Sequence, residues 1–453
     1  MTQVANNKVS AAHSPMYLQS HRTEMYKIPS GSTWANKIIS MDYVEQHGIM
    51  YDIDAGVFTL EAGVTYRITA QLGFEGDYYR SGKPTFYAFG LFSYHRSGGE
   101  QIGPLAESLS IGANSSNASG GVLDVIHTPL ITRKYCIKMA PNVVASSSSI
   151  LRTEGAFLNI VQVMPCTETL SARRFTNQQI SSGSTWANRN IIMRSDRHDG
   201  SIEYDENTGE FTLNGGVTYR ITAQLGWLAS TPGWYAFGLF DAYTNKQIGP
   251  LAESLSPNMG TSNASGGILD VIYTPLDTRP FCLRMSPNVT ADSSSRIRFD
   301  VSTFLNIVSI PEEKSYMSAR RFARQIPTPD DHGNKVIKMH IQEKIGTIEY
   351  SPDSGTFTLE GGKTYRITAQ LGWEADIPGY YRFGCYDGED ILAVGESMAP
   401  SYPDGYLIAP ATVLDAIIAP SDTIECTLYV LRDAGISSKI RADVSTFMNI
   451  VEL

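Results

Sequence analysis

The feature that most constrains this chain is a threefold internal repeat. GVTYRITAQLG begins at Gly63 and again at Gly216, and GKTYRITAQLG begins at Gly362. Variants of GSTWAN, YAFGLF, QIGPLAESLS, VLDVI and FLNIV recur around these segments in constant order. Repeated blocks in constant order are the signature of repeated structural units. The sequence therefore predicts three tandem copies of one domain, of which the third is the most diverged.

The length of the chain agrees with this division, because 453 residues suggest about three domains of ~150 residues each. The repeated blocks place the boundaries of the three copies at 16–166, 167–311 and 312–453. We expect residues 1–15 to form an N-terminal arm. The polar segment Met1–Ser30 is typical of arms that tether a protein to a scaffold.

Each copy is predicted to consist of strands. From Tyr66 to Leu72, Tyr, Ile, Ala and Leu fall on one face and Arg, Thr and Gln on the other, which is the alternation of a half-buried strand. Short runs rich in aromatic and β-branched residues are separated by Gly, Asn, Asp, Pro or Ser, and no helical pattern of about ten residues occurs. The expected fold class is all-β, with three tandem jelly-roll (β-sandwich) domains.

The strand that closes each copy is apolar on both faces, as Phe304–Val308 shows. Such a strand is central in its sheet or lies under another domain. We predict a contact between copies, and burial within one domain remains the alternative. The asparagines of this strand could meet near a pseudo-threefold axis, or each could bond its own backbone. The candidate inter-domain residues are Leu158, Asn159, Ile160, Leu305, Asn306, Ile307, Met448, Asn449 and Ile450.

The order of these strands resembles a known superfamily. A turn, a Gly-x-Phe-Thr-Leu strand, a Gly-Gly turn and a Thr-Tyr-Arg-Ile-Thr-Ala strand resemble the central strands of tumour necrosis factor and complement-head jelly rolls. Ser302–Val308 and Ser445–Val451 resemble that family's last strand, whereas its usual proline-rich turn is absent here. The resemblance implies trimers assembled through the inner sheet. Three copies in one chain would then form an equivalent pseudo-trimer.

Charge and cysteine placement restrict the function classes. A net charge of −10 argues against nucleic-acid binding, and the absence of a run of about 18 apolar residues argues against membrane insertion. The N-terminus has no apolar leader core, so we expect synthesis in a cytoplasm. Cys136, Cys282 and Cys426 occur once per copy, which favours a reducing compartment, and Cys166 in the first linker is the expected exposed thiol.

Catalysis has one candidate constellation, formed by acidic residues that recur in each copy. A Glu–Asp pair can perform acid–base chemistry, but a site repeated three times in one chain is unusual for an enzyme. Carboxylates that alternate with apolar residues on a strand are usually solvated or ion-paired. We therefore expect no enzyme activity, catalytic residue, cofactor or metal site. The recurring residues are Glu107, Glu253, Glu396, Asp124, Asp270 and Asp415.

A basic and aromatic segment, Ser-Ala-Arg-Arg-Phe, precedes copies two and three. It could dock on an acidic partner surface, or it could be a linker strand pinned to its own domain by arginine pairing. The candidate docking residues are Arg173, Arg174, Phe175, Arg320, Arg321 and Phe322.

These features favour a non-enzymatic structural protein. Chains of this type resemble virion minor capsid, decoration or spike proteins that are made in the host cytoplasm and sit as a pseudo-trimer on a trimeric capsomer. The expected partner is then a capsid or other scaffold protein. The alternative is a recognition or adhesion module of the complement-head type, at the cell surface or outside the cell, that binds a glycan or a host receptor.

Overall fold

The computed structural model confirms the all-β class, and no helix occurs among the residues that it describes. These residues are 15–24, 26–27, 38–75, 85–95, 99–110, 117–118, 121–141, 150–151, 156–164, 167–180, 189–229, 233–256, 262–264, 267–287, 296–299, 303–327, 335–375, 379–399, 407–409, 413–432, 439–442 and 446–453. Nearly all of the predicted arm at 1–15, and Cys166, lie outside them.

We keep the names copy one, copy two and copy three for residues 16–166, 167–311 and 312–453. The strands of copy one are β1 Tyr17–His21, β2 Tyr26–Lys27, β3 Ile38–Ile39, β4 Tyr43–His47, β5 Tyr51–Asp52, β6 Val57–Leu60, β7 Tyr66–Gln71, β8 Phe74–Glu75, β9 Thr85–Ser93, β10 Gln101–Ser110, β11 Asn117–Ala118, β12 Val122–His127, β13 Arg133–Pro141, β14 Ile150–Leu151 and β15 Phe157–Gln162.

Copies two and three repeat this series. The strands of copy two are β16 Thr169–Arg173, β17 Gln178–Gln179, β18 Arg194–Asp199, β19 Glu203–Asp205, β20 Glu210–Leu213, β21 Thr218–Gln224, β22 Trp227–Ala229, β23 Gly233–Asp241, β24 Gln247–Ser256, β25 Ser262–Ala264, β26 Ile268–Tyr273, β27 Arg279–Pro287, β28 Arg296–Ile297 and β29 Phe304–Ile310. The strands of copy three are β30 Tyr316–Arg320, β31 Lys335–Val336, β32 His340–Ile345, β33 Glu349–Ser351, β34 Thr356–Leu359, β35 Tyr365–Gln370, β36 Trp373–Ala375, β37 Gly379–Tyr386, β38 Ile391–Ala399, β39 Leu407–Ala409, β40 Val413–Ile418, β41 Ile424–Arg432, β42 Lys439–Ile440 and β43 Phe447–Glu452.

Two antiparallel sheets recur in every copy with the same strand order. We call the first the inner sheet, and the strands that all copies share in it run β1-β15-β7-β12, β16-β29-β21-β26 and β30-β43-β35-β40; β18 and β32 add an edge strand beside β16 and β30. We call the second the outer sheet, and its shared strands run β5-β6-β13-β9-β10, β19-β20-β27-β23-β24 and β33-β34-β41-β37-β38; in copy one the sheet continues from β10 to β11, β8, β14 and β2. The closing strand of each copy is therefore an interior strand of its inner sheet.

A separate apolar core lies between the two sheets of each copy, which gives each copy a sandwich-like architecture. In copy two, Ile221 and Ala223 of the inner sheet belong to the same cluster as Phe237 and Leu283 of the outer sheet. The corresponding clusters of copies one and three likewise contain residues of one copy only.

The leucine and isoleucine rows of the closing strands lie in these cores, so the prediction that one row faces a neighbouring copy is wrong. The two rows share one face because side chains two residues apart on a strand point the same way, and that face packs on the outer sheet. The residues concerned are Leu158 and Ile160 in copy one, Leu305 and Ile307 in copy two, and Met448 and Ile450 in copy three.

The glycine that opens each GVTYRITAQLG-type block has a conformational role. Gly63, Gly216 and Gly362 have φ values of 75°, 80° and 77°, a region that side chains disfavour. Each donates its N–H to the carbonyl of a proline in the adjacent turn, for example Gly216 to Pro275 at 2.7 Å. The turn aligns the two inner-sheet strands that carry the residues described next.

Candidate functional site at the junction of the three copies

The second face of each inner sheet is buried as well, although its residues are polar. In β7 all six residues are buried, including Arg67, Thr69 and Gln71. The alternation predicted a half-buried strand, and this prediction is wrong. The polar face is covered by the other copies, and its groups find their partners there.

The strand registers arrange this face into three layers. Every second residue of β7 on this face lies between one residue of β12 and one of β15; Thr69, for example, lies between Asp124 and Asn159. The same registers recur in copies two and three. The phenylalanine layer contains Gln71, Val122, Phe157, Gln224, Ile268, Phe304, Gln370, Val413 and Phe447. The carboxylate layer contains Thr69, Asp124, Asn159, Thr222, Asp270, Asn306, Thr368, Asp415 and Asn449. The arginine layer contains Arg67, Ile126, Val161, Arg220, Ile272, Val308, Arg366, Ile417 and Val451.

A hydrogen-bonded triangle joins copy one to copy two. Arg67 is bidentate to Asp124 of its own copy, with Nε–Oδ1 at 3.0 Å and Nη2–Oδ2 at 2.6 Å. The same Nη2 donates to Thr222 Oγ1 of copy two at 2.9 Å. Thr222 Oγ1 donates in turn to Asp124 Oδ2 at 3.0 Å. A threonine hydroxyl is suited to this position because it donates and accepts at one atom.

The same triangle recurs at the other two junctions. Arg220 and Asp270 of copy two bond Thr368 of copy three, with Arg220 Nη2–Oγ1 at 2.8 Å and Oγ1–Asp270 Oδ2 at 3.0 Å. Arg366 and Asp415 of copy three bond Thr69 of copy one, with both corresponding distances at 2.9 Å. Copy one thus bonds copy two, copy two bonds copy three, and copy three bonds copy one. We call this closed set of contacts the Arg–Asp–Thr ring.

The asparagines of the closing strands reinforce the ring. Asn306 Nδ2 donates to the Asp124 carbonyl at 3.0 Å, Asn449 to that of Asp270 at 3.0 Å, and Asn159 to that of Asp415 at 2.9 Å. Each bond therefore crosses to a neighbouring copy. Both arrangements expected from the sequence, mutual contact of the amides and bonding to the residue's own backbone, are wrong. The backbone of the neighbouring aspartate strand is the nearest acceptor.

An apolar cluster drawn from all three copies lies in the phenylalanine layer. Val122, Ile268, Phe304, Val413 and Phe447 form it, and all are buried. Glutamines at the edge of this layer also bond across copies. Gln224 Oε1 accepts from the Val122 N–H, and Gln71 Oε1 from the Val413 N–H, both at 3.4 Å.

Two aspartates of the ring, Asp270 and Asp415, are held in the charged state. Burial alone would raise the pKa of Asp270, but the charge of Arg220 and its hydrogen bonds hold that pKa below the ordinary value of 3.8. Burial opposes ionisation of Asp415 in the same way, and Arg366 lowers its pKa below the same value. Each carboxylate is therefore committed to an ion pair. A buried ion pair adds little net stability, but its geometry specifies which surfaces meet.

Acid should weaken the junctions through these aspartates. Because the folded pKa values of Asp270 and Asp415 lie below 3.8, their contribution to stability is complete above about pH 4. It is lost as the pH falls through the folded values, since the unfolded chain then binds more protons. We expect the free energy of unfolding, measured in urea, to fall steeply below pH 4. Replacing the pair with Arg220→Met and Asp270→Leu should make this fall shallower.

His127 should change the stability of the protein in a different pH range, which makes it a control for the aspartates. Burial first, and then the charges of Arg133 and Arg197, lower the pKa of His127 to about 4. Stability lost through His127 therefore appears between about pH 6.5 and pH 4. Tyr273 occupies the same position in copy two, so His127→Tyr should reduce the slope in this window and leave the loss below pH 4 unchanged. An equal effect of His127→Tyr in both windows would contradict the assignment.

One glutamate of the recurring acidic set also pairs across copies. Glu253 of copy two is buried against Arg441 of copy three, and burial raises its pKa despite that charge. The side chains of Glu107 and Glu396 lie outside the described residues. The candidate acid–base residues that are described are thus engaged in ion pairs, which agrees with the ion-paired interpretation of the sequence.

The two arginines of each Ser-Ala-Arg-Arg-Phe segment have different environments. Arg174 is buried, with Nε donating to the Thr176 carbonyl at 2.7 Å and Nη1 to Gln178 Oε1 at 2.8 Å. Arg321 repeats this pattern with Ala323 and Gln325 at 2.9 and 2.7 Å. These contacts stay within one copy, which fits the pinned-linker interpretation for the second arginine.

The first arginine of each segment stacks on an exposed aromatic ring. The Arg173 guanidinium lies 4.7 Å from the centre of the Phe175 ring, and that of Arg320 lies 4.6 Å from the Phe322 ring. Phe175 and Phe322 are 44% and 49% exposed. Arg173 also pairs with Asp196 of its own copy at 2.5 Å. The exposed rings keep Arg173, Phe175, Arg320 and Phe322 as candidates for contact with a partner.

Comparison with known proteins adds no family assignment. No protein-family model matches the chain, and no curated protein sequence matches it. Among the described residues, no helix has the length and apolar character of a membrane span. The same part of the chain contains no group of three or more His, Cys, Asp and Glu side chains arranged to hold a metal ion.

Proposed function

We propose that this chain is a non-enzymatic structural protein, a virion minor capsid, decoration or spike protein, that acts as a single-chain pseudo-trimer on a trimeric capsomer. The Arg–Asp–Thr ring is the observation that carries this proposal. Each copy supplies an arginine and an aspartate to one neighbour and accepts a threonine from it. One polypeptide thereby satisfies every junction of the ring by itself.

A closed set of three similar units suits a partner with threefold symmetry. Such a partner could contact the same outer segment of each copy at once, and linked contacts bind more tightly than one contact alone. The jelly-roll resemblance supports the same view, because that superfamily assembles trimers through the inner sheet. The link to a virion rests on this analogy, since fold alone does not fix function.

Sedimentation tests the assembly state on which this proposal depends. If the chain completes its own ring, purified protein should sediment as a single chain of 49.7 kDa at micromolar concentration. It should then bind an isolated trimeric capsomer at one chain per trimer, and bind the monomeric capsomer subunit much more weakly. A stable homotrimer of this chain, or equal binding to monomeric and trimeric scaffolds, would contradict the proposal.

Recognition of a glycan or host protein is the second candidate, and the exposed arginine–phenylalanine stacks favour it. An exposed aromatic ring with a neighbouring arginine offers both an apolar face and hydrogen-bond donors to a ligand. If this function is correct, Phe175→Ala with Phe322→Ala should abolish binding to a glycan array or cell surface while leaving thermal stability unchanged. Retained binding by that double variant would exclude these stacks as the binding site.

A further inference from the structure

We propose that Arg67, Arg220 and Arg366 together bind one small tetrahedral oxyanion, of the phosphate or sulfate class, at the arginine layer. A depression opens there. Its lining includes one arginine and one valine from each copy, and the valines are Val161, Val308 and Val451. The three guanidinium groups thus border one shared space.

Each arginine reaches this space with hydrogen-bonding capacity unused. Nε and Nη2 of all three are committed to the aspartate and threonine of the ring. Nη1 has no acceptor among the described residues in any of the three. The side chains are only 7%, 6% and 3% exposed, in the order of the chain. An acceptor placed in the depression would bond these remaining donors away from bulk water, where a hydrogen bond is electrostatically stronger.

The chemistry of the depression selects a compact anion. The aspartate oxygens bond the Nε and Nη2 edge of each guanidinium, so the remaining Nη1 donors are free for another acceptor. A tetrahedral oxyanion can present a separate oxygen to each of three donors, so it spans a wider gap between them than a single-atom anion does. Lys314 and Glu452 also line the depression and form a pair at 3.9 Å, so this pair contributes no net charge.

The site can be tested on the full-length chain with inorganic phosphate as the probe. In anion-exchanged protein at constant ionic strength, isothermal titration should show saturable phosphate binding at one ion per chain, because the three arginines share one site. The melting temperature should rise with phosphate or sulfate and much less with chloride, since a ligand that binds only the folded state stabilises it. A stoichiometry of three, or equal shifts with chloride and phosphate, would overturn the proposal.

A matched pair of variants assigns the binding to this depression. Val308 is half-buried on its lining, so Val308→Asp places a carboxylate beside the arginines, and Val308→Asn places an amide of the same size. We expect Val308→Asp to lose at least tenfold in phosphate affinity and Val308→Asn to retain it. Equal phosphate affinity in the two variants would place the ion elsewhere. If Val308→Asp does not fold, phosphate protection of the Arg67, Arg220 and Arg366 side chains from guanidine-modifying reagents decides the matter, and no protection overturns the proposal.

Discussion

Replacing Arg220 with methionine should lower the free energy of unfolding by about 3–5 kcal/mol, one of the two largest effects that the structure predicts for a single substitution. The change leaves Asp270 charged, buried and without its bidentate partner, and it removes the donor to Thr368 in copy three. Urea unfolding of the full chain, followed by intrinsic fluorescence, measures the loss. An exposed ion pair would be worth only about 0–1 kcal/mol.

Removing both charges of this pair should restore much of that stability. In the double variant Arg220→Met with Asp270→Leu, no buried charge is left unpaired, and replacing a buried ion pair by apolar groups of similar volume is often close to neutral. We therefore expect the double variant to be more stable than Arg220→Met alone. A single-variant loss below about 1 kcal/mol, or a double variant less stable than the single one, would contradict the buried position of the pair.

Alanine substitutions at Phe304 and Leu305, two adjacent residues of β29, should increase hydrogen exchange in different parts of the protein. Phe304→Ala should cost about 3–5 kcal/mol and Leu305→Ala about 2–5 kcal/mol, since both side chains are buried. Phe304 belongs to an apolar cluster drawn from all three copies, whereas the described residues in the cluster of Leu305 all belong to copy two. Hydrogen exchange measured by mass spectrometry should therefore rise at the inner sheets of several copies for Phe304→Ala. For Leu305→Ala it should rise across both sheets of copy two.

The two exchange maps act as controls for each other, because the residues are neighbours on one strand. If both variants open the same segments to the same degree, the two faces of β29 do not serve different contacts. If Leu305→Ala loosens the junction and spares the outer sheet of copy two, the original sequence-based assignment of the leucine row would be correct after all.

The strands and the repeat could be predicted from the sequence because they depend on local patterns. Alternation from Tyr66 to Leu72 identifies a strand and places Ile68 and Ala70 on the core side, as found. Arg67, Thr69 and Gln71 form the other face of this strand. Periodicity alone does not distinguish this polar row from one that faces solvent. Whether a polar row faces water or another polar surface depends on contacts with residues such as Thr222, which is 155 positions away from Arg67.

The closing strand does contact other copies, and only the choice of its Leu and Ile rows for that contact is wrong, for a related reason. Both of its faces are apolar enough to be buried, and the sequence does not show which face meets the outer sheet. The structure places Leu305 against the outer sheet and Phe304 and Asn306 against other copies. One signal is present in the sequence: Arg-x-Thr-x-Gln is identical in all three copies.

Copy three closes the ring onto copy one, and a double-mutant cycle between Thr69→Val and Asp415→Ala tests this closure most directly. The Thr69 hydroxyl donates to Asp415 Oδ2 at 2.9 Å, although the two residues are 346 positions apart. Thr427→Val with Asp415→Ala is the control, because Thr427 bonds Thr356 in the outer sheet of copy three. The control pair should be additive within about 0.5 kcal/mol, and Thr69 with Asp415 should show a coupling energy of about 0.5–3 kcal/mol. Additivity of Thr69→Val and Asp415→Ala would contradict a closed ring.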